Sequence, residues 1–165
     1  MSKKILGLVL VGVLVLGMIG CSNSKEANKA NKANENTTKE EGSSKKDIPS
    51  GLDEEIGNGS VVLSTPGGTT ENRNTPIVFV GQDTLLDQIG LSAENLDGSK
   101  LSYVYIDGML NTKEQLGEIT QTTITLQDNS LKEGKHKVEV VQYDNDEQTG
   151  TPVTYKVATY EVKNK

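Results

Sequence analysis

Apolar residues along this chain follow three different rhythms, and each predicts a different kind of structure. From Ile5 to Ile19 the residues are uncharged and mostly Leu, Val, Ile and Gly, directly after the basic start Met1-Ser2-Lys3-Lys4. A membrane-spanning helix needs nearer twenty apolar residues than the about fifteen present here, and Gly7, Gly12, Gly17 and Gly20 weaken a permanent helix further. The run therefore has the proportions of a removable leader. From Ser22 to Ser50 apolar residues are sparse, and the centre repeats Ala27-Asn28-Lys29-Ala30-Asn31-Lys32-Ala33-Asn34. Such a segment cannot bury enough surface to offset its conformational entropy, so it is expected to be a disordered spacer. As a flexible coil its roughly 29 residues would span about 30 Å.

From about residue 58 the texture changes to short β-forming runs separated by turn residues. Ser60–Ser64 and Pro76–Val80 are two such runs, with Pro66-Gly67-Gly68 between them. Asp83–Ile89 predicts one or two helical turns, capped by Asp83 or Thr84, with Leu85, Leu86 and Ile89 toward the core. Leu101–Ile106, then Asp107-Gly108, then Met109-Leu110 is the strongest hairpin signal, because Asp-Gly suits the two positive φ values of a type I′ turn. Thr122–Leu126 and His136–Tyr143 predict two further strands, and Val153–Val162 the last. In that last run Tyr155 and Val157 lie on one alternation and Tyr160 and Val162 on the other, which predicts a bulge near Ala158. Six or seven closely spaced strands predict an all-β fold, a small immunoglobulin-like β-sandwich. The expected organisation is a leader over 1–20, a spacer over 21–57 and the sandwich over 58–165.

Composition narrows the stability problem. Only 33% of the residues are hydrophobic, and many of those lie in the leader, so a small domain must bury few apolar side chains efficiently. One cysteine precludes an internal disulfide, leaving packing and strand pairing to hold the domain.

Charge narrows the partners. The formal net charge is −6, with one arginine, Arg73, among 17 cationic residues. Residues 22–50 carry six lysines against five acids, whereas from residue 51 onward nine Lys/Arg face eighteen Asp/Glu. An acidic domain repels phosphate backbones, which excludes nucleic acid as a natural partner, and it would also stand off an anionic membrane surface.

Met18-Ile19-Gly20-Cys21 follows the apolar run. The tetrapeptide resembles the lipobox of bacterial lipoproteins, with Met18 where leucine is usual. The resemblance implies a diacylglyceryl group on the Cys21 thiol and cleavage between Gly20 and Cys21. It places the mature protein on the outer face of a cell membrane, Gram-positive in character. The acyl chains would contribute about 0.8 kcal/mol per buried CH₂, enough for stable attachment when two or three chains insert. Further along, Leu131-Lys132-Glu133-Gly134-Lys135-His136-Lys137-Val138-Glu139-Val140 is similar to the corner and late strand of bacterial immunoglobulin-like and fibronectin-like domains. That resemblance implies binding, adhesion or spacing more than catalysis, although fold alone does not assign function.

Groups able to do chemistry are few. His136 is the single histidine and sits within a strand pattern, and no nucleophile-elbow pattern surrounds a serine, Ser130 included. Asp144-Asn145-Asp146-Glu147 sets oxygen-bearing side chains in one loop, so Asp144 and Asp146 are weak candidate calcium ligands, although the spacing is not that of an EF-hand. Tyr103, Tyr105, Tyr143, Tyr155 and Tyr160 suit cross-strand packing better than a sugar-stacking row. No cofactor is implied. The reading that unites these features is a membrane-anchored, surface-exposed lipoprotein whose non-catalytic sandwich binds an unidentified protein or cell-wall component. Two alternatives are a cell-wall-acting enzyme with several acids in a cleft, and a precursor whose leader, within Val13 to Gly20, yields a hydrophobic pheromone.

Overall fold

In the computed structural model, which describes residues 47–165, Asp107 and Gly108 have φ of 53° and 83°. These are the two positive values a type I′ hairpin needs, and the flanking strands pair Ile106 with Met109. The leader, Met18, Ile19, Gly20, Cys21 and most of the expected spacer lie outside the described residues.

Nine strands follow in chain order: β1 (Ser60–Thr65), β2 (Gly68–Thr69), β3 (Ile77–Val80), β4 (Leu86–Glu94), β5 (Ser102–Ile106), β6 (Met109–Glu114), β7 (Ile119–Gln127), β8 (Gly134–Tyr143) and β9 (Pro152–Asn164). They form two sheets, β2-β1-β4-β7 and β3-β9-β8-β5-β6. All pairings are antiparallel except β3 with β9. The chain moves repeatedly from one sheet to the other, and this connectivity is that of an immunoglobulin-like β-sandwich. Leu63, Ile89, Leu91, Ile124 and Leu126 of the first sheet meet Val104, Val138, Val140, Tyr160 and Val162 of the second in one core. Leu131 packs against its margin, and Gly134, at the start of β8, takes a φ of 136°.

Two local expectations are overturned. The segment Asp83–Ile89 is not helical: β4 begins at Leu86 and pairs with β7 through nine consecutive residues. Leu85 and Leu86 are 86% and 58% exposed, while Ile89, Leu91 and Ala93 are buried at a period of two. Pairing to a neighbouring strand thus overrides the local spacing of Leu85, Leu86 and Ile89. Nor is there a bulge near Ala158, because β8 and β9 stay in register from Gly134↔Val162 to Gln142↔Thr154, and the shift falls between Gln142 and Tyr143. Ala158, Tyr160 and Val162 enter the core, whereas Tyr155 and Val157 belong to a second cluster on the opposite face. Both alternations are apolar because both faces of this sheet are covered.

The cover comes partly from residues expected in the spacer. The Asp47 N–H donates to Gly108 O at 2.8 Å, and Ile48 and Leu52 pack on the outer tyrosines. Ile56 then exchanges backbone hydrogen bonds with Tyr155 at 3.1 and 3.0 Å. Residues 47–57 are therefore a strap across the second sheet. The strap crosses toward β1 at Gly57, whose φ is 75° and where a Cβ would lie 2.6 Å from Val153 O. Only glycine passes this point without strain.

Candidate functional site

The candidate residues fall in three places among the described residues, and each place uses its polar side chains in folding. The first is beneath the strap. Tyr103, Tyr105, Val141, Tyr143 and Tyr155 form the second apolar cluster. The Tyr105 and Tyr143 hydroxyls share a hydrogen bond of 3.0 Å, and Gln148 Nε2 donates to Tyr105 Oη at 2.8 Å. Tyr103 meets Tyr143 edge-to-face at 5.2 Å, donates to Asp146 O at 2.9 Å, and carries the Lys113 ammonium over its ring at 4.7 Å. Tyr155 donates to the buried Glu139 carboxylate at 2.8 Å, which also pairs with Lys137. Burial, then the bond to Tyr105, pushes the Tyr143 phenol well above its ordinary range. Burial, then Glu139, also raises the Tyr155 phenol, and the Glu139 bond raises the Lys137 ammonium. Four of the five tyrosines thus pack across strands under a cover, as expected of packing residues. Tyr160 lies in the main core, where burial raises its phenol.

The second place surrounds His136, which is buried. Its Nδ1 lies 2.7 Å from Asp107 Oδ2 and its Nε2 lies 2.7 Å from Lys132 O. The ring stacks on Tyr160 with centroids 5.1 Å apart. Asp107 also accepts from Lys137 N at 2.9 Å and donates its own N–H to Lys137 O at 2.9 Å. The carboxylate at the hairpin tip therefore clamps the β5–β6 turn to β8. Ser130 closes a separate turn: its hydroxyl donates to Gln127 O at 2.7 Å and accepts from Gln127 N at 2.8 Å. The structure does not bring Ser130 and His136 together as nucleophile and base.

The third is the acidic loop after β8. Asp144 Oδ1 accepts from Thr151 N at 2.9 Å, Asn145 Oδ1 from Glu147 N at 3.0 Å and Asp146 Oδ1 from Leu101 N at 3.1 Å. These side chains fold the loop and fasten it to β5's start. Among the described residues no three His, Cys, Asp or Glu side chains converge to hold a metal ion. At the same end, Ser99 donates to the exposed Asp97 carboxylate and holds it below its ordinary pKa.

What sequence reasoning overlooked is the flank where β6 and β7 lie side by side. An open cleft of about 480 Å³ there is lined by Ile106, Met109, Leu110, Asn111, Gln127 and Asn129, among others. Asn111 Nδ2 donates to Thr125 O at 2.8 Å and joins the two sheets across it. The signal that could have pointed here is the absence of any charge from Ile119 to Gln127 in an otherwise acidic domain.

No protein-family model and no curated protein matches the chain. Among solved structures it is similar to the CARDB domain of a Pyrococcus furiosus protein in solution, at 18% identity and a TM-score of 0.36, covering 66% of this chain and 97% of that one. A crystal structure of the same domain in complex with di-metal ions gives 17% identity and a TM-score of 0.37, covering 68% and 98%. Fibronectin(III)-like modules of Clostridium thermocellum CbhA give 19% identity and a TM-score of 0.37, covering 66% of this chain and 48% of theirs.

Proposed function

We propose that the mature chain is a lipoprotein attached to the outer face of a bacterial membrane through Cys21, with a sandwich that serves as a binding or accessory module and performs no catalysis. The observation that carries the second half is the use made of the reactive groups. His136 has both ring nitrogens against protein acceptors, Ser130 closes its own turn, and Asp144 and Asp146 accept backbone N–H groups. Groups committed in this way hold the fold and are poorly placed to exchange protons with a substrate. The first half rests on the motif Met18-Ile19-Gly20-Cys21 behind a leader-length apolar run.

The test is expression of the full precursor in a Gram-positive host fed an alkyne-bearing palmitate. Wild-type protein is expected in the membrane fraction carrying the label, and Cys21→Ser in the medium or leader-bearing without it. Label retained by Cys21→Ser, or wild-type protein released unlabelled, would sink the anchor.

A further inference from the structure

Every sheet must end somewhere, and an end strand offers unpaired backbone groups to any other strand. Most ends here are protected. β2 has two residues. β3 has four and follows the buried Pro76. β6 pairs with a register shift between Val104 and Tyr105 and carries Lys113 and Glu114. Within the stretch of β9 that β3 leaves open, Tyr155 is bridged to Ile56 of the strap and the Val157 N–H donates to the Glu55 carboxylate.

β7 has none of these devices between Ile119 and Thr123, and only its far end is capped, by Asn111 and by the turn at Ser130. It runs for nine residues, Ile119–Gln127, without a charge or a proline, and pairs with β4 in unbroken register. Its outward-facing groups can be identified by parity. Thr125 O accepts from Asn111, and Gln127 N and O both bond Ser130 Oγ, so these residues turn their backbone groups away from β4. In an antiparallel ladder the direction alternates, so Ile119, Gln121 and Thr123 also present N–H and C=O outward. Their side chains are exposed. Acids stand at both ends, Glu114 and Glu118 at one and Asp128 at the other, while the Asp107 carboxylate is taken up by His136 and Lys137. Between Asp107 and Leu131 the single cation is Lys113, whose ammonium sits over Tyr103.

We propose that β7 is a strand-addition site for an extended segment of a partner protein, uncharged and β-forming at its centre with Lys or Arg at its ends. Main-chain hydrogen bonds to Gln121 and Thr123 would supply affinity, and the flanking acids would set register and favour basic partners. A second copy is a poorer occupant, since a two-fold pairing centred on Thr123 sets Glu118 opposite Asp128 of the other copy. The inference rests on the binding-module reading and names the surface and partner chemistry for it.

The experiment is selection of a displayed library of random decapeptides against the full lipidated protein in detergent micelles. Enriched peptides are expected to alternate β-forming residues and to end in Lys or Arg. Their affinity should fall about tenfold or more for both Thr123→Pro and Thr123→Lys. Thr123→Pro removes an N–H that points away from β4, and Thr123→Lys, at an exposed position, checks the result if the proline disturbs the fold. Peptides that bind both variants as well as wild type would overturn the β7 assignment and leave a binding module that works elsewhere. Enrichment of acid-flanked peptides, or of none, would also overturn it. So would a wild-type dimer, seen by sedimentation, that both variants dissolve.

Discussion

The two sheets differ most on the sides they turn away from each other. The second sheet has an outer face of Tyr103, Tyr105, Val141, Tyr143 and Tyr155, roofed by the strap from one side and bonded to the acidic loop through Tyr103 and Tyr105. The outer face of the first sheet holds Ser60, Ser64, Gln88, Ser92, Gln121 and Thr123 together with the exposed Leu86 and Ile119, and among the described residues no strap covers it. A sheet buried on both faces needs apolar residues on both alternations. Accordingly β5 reads Ser-Tyr-Val-Tyr-Ile with every residue buried, and β8 is buried at six successive residues, Val138 to Tyr143, with Glu139 and Gln142 among them. A sheet buried on one face alternates, as β7 does. Among the described residues, then, the sheet that meets Asp47–Gly57 is covered on its outer face and the other is not.

Breaking the sealed face should cost the most. Tyr143→Ala, which empties the cluster's centre, is expected to lose about 3–5 kcal/mol of stability in denaturant titration; a loss under about 1 kcal/mol would show that the face contributes little. Loosening the roof should cost less. Leu52 is only partly buried, so Leu52→Ala is expected to cost about 1–2 kcal/mol. It should also speed amide hydrogen exchange at Tyr155, whose N–H bonds the strap at Ile56, while exchange in β7 stays unchanged.

Alkali sharpens the same contrast. Tyr143 and Tyr155 are raised above the ordinary phenol value of 10.0 in the folded state. Above about pH 10 the unfolded chain therefore releases protons that the folded chain holds, and stability falls as pH rises. That contribution is complete below the unfolded value and is lost as pH climbs through the raised folded one. Tyr143→Phe should flatten the decline in melts between pH 9 and 11.5, and an unchanged slope would remove Tyr143 as its source. On the bare face the effect should be smallest. Gln121→Ala is expected to move stability by no more than about 0.5 kcal/mol, and a larger loss would mean the face has structural duties.

Local turn chemistry was the most legible feature. Asp107-Gly108 forms its I′ turn because positive φ at two successive residues suits few other pairs, and the runs around Thr122–Leu126, His136–Tyr143 and Val153–Val162 all lie within strands. What misled was ambiguity of period. Leu85, Leu86 and Ile89 satisfy a helical spacing, yet Ile89, Leu91 and Ala93 satisfy a strand, and pairing with β7 decides between them. Tyr155 and Tyr160 suggested a bulge because one buried face was assumed where there are two. Of the candidate site, Asp144, Asp146 and His136 were visible as residue types. Their engagement with Thr151, Leu101, Asp107 and Lys132 was not.

The amino-acid order alone determined where β-forming segments lie, where the tightest hairpin turns, and the lipobox-like Met18-Ile19-Gly20-Cys21, because each depends on neighbours within a few positions. Only the tertiary structure decided that Ile48, Leu52 and Ile56 belong to the fold. In a polar stretch they are isolated apolar residues, and their destination is a set of tyrosines about fifty to a hundred positions away. It likewise decided that β7 ends a sheet. An uncharged strand reads the same at a centre or an edge, and the order of strands across a sheet is settled by which long-range pairings together bury the most apolar surface.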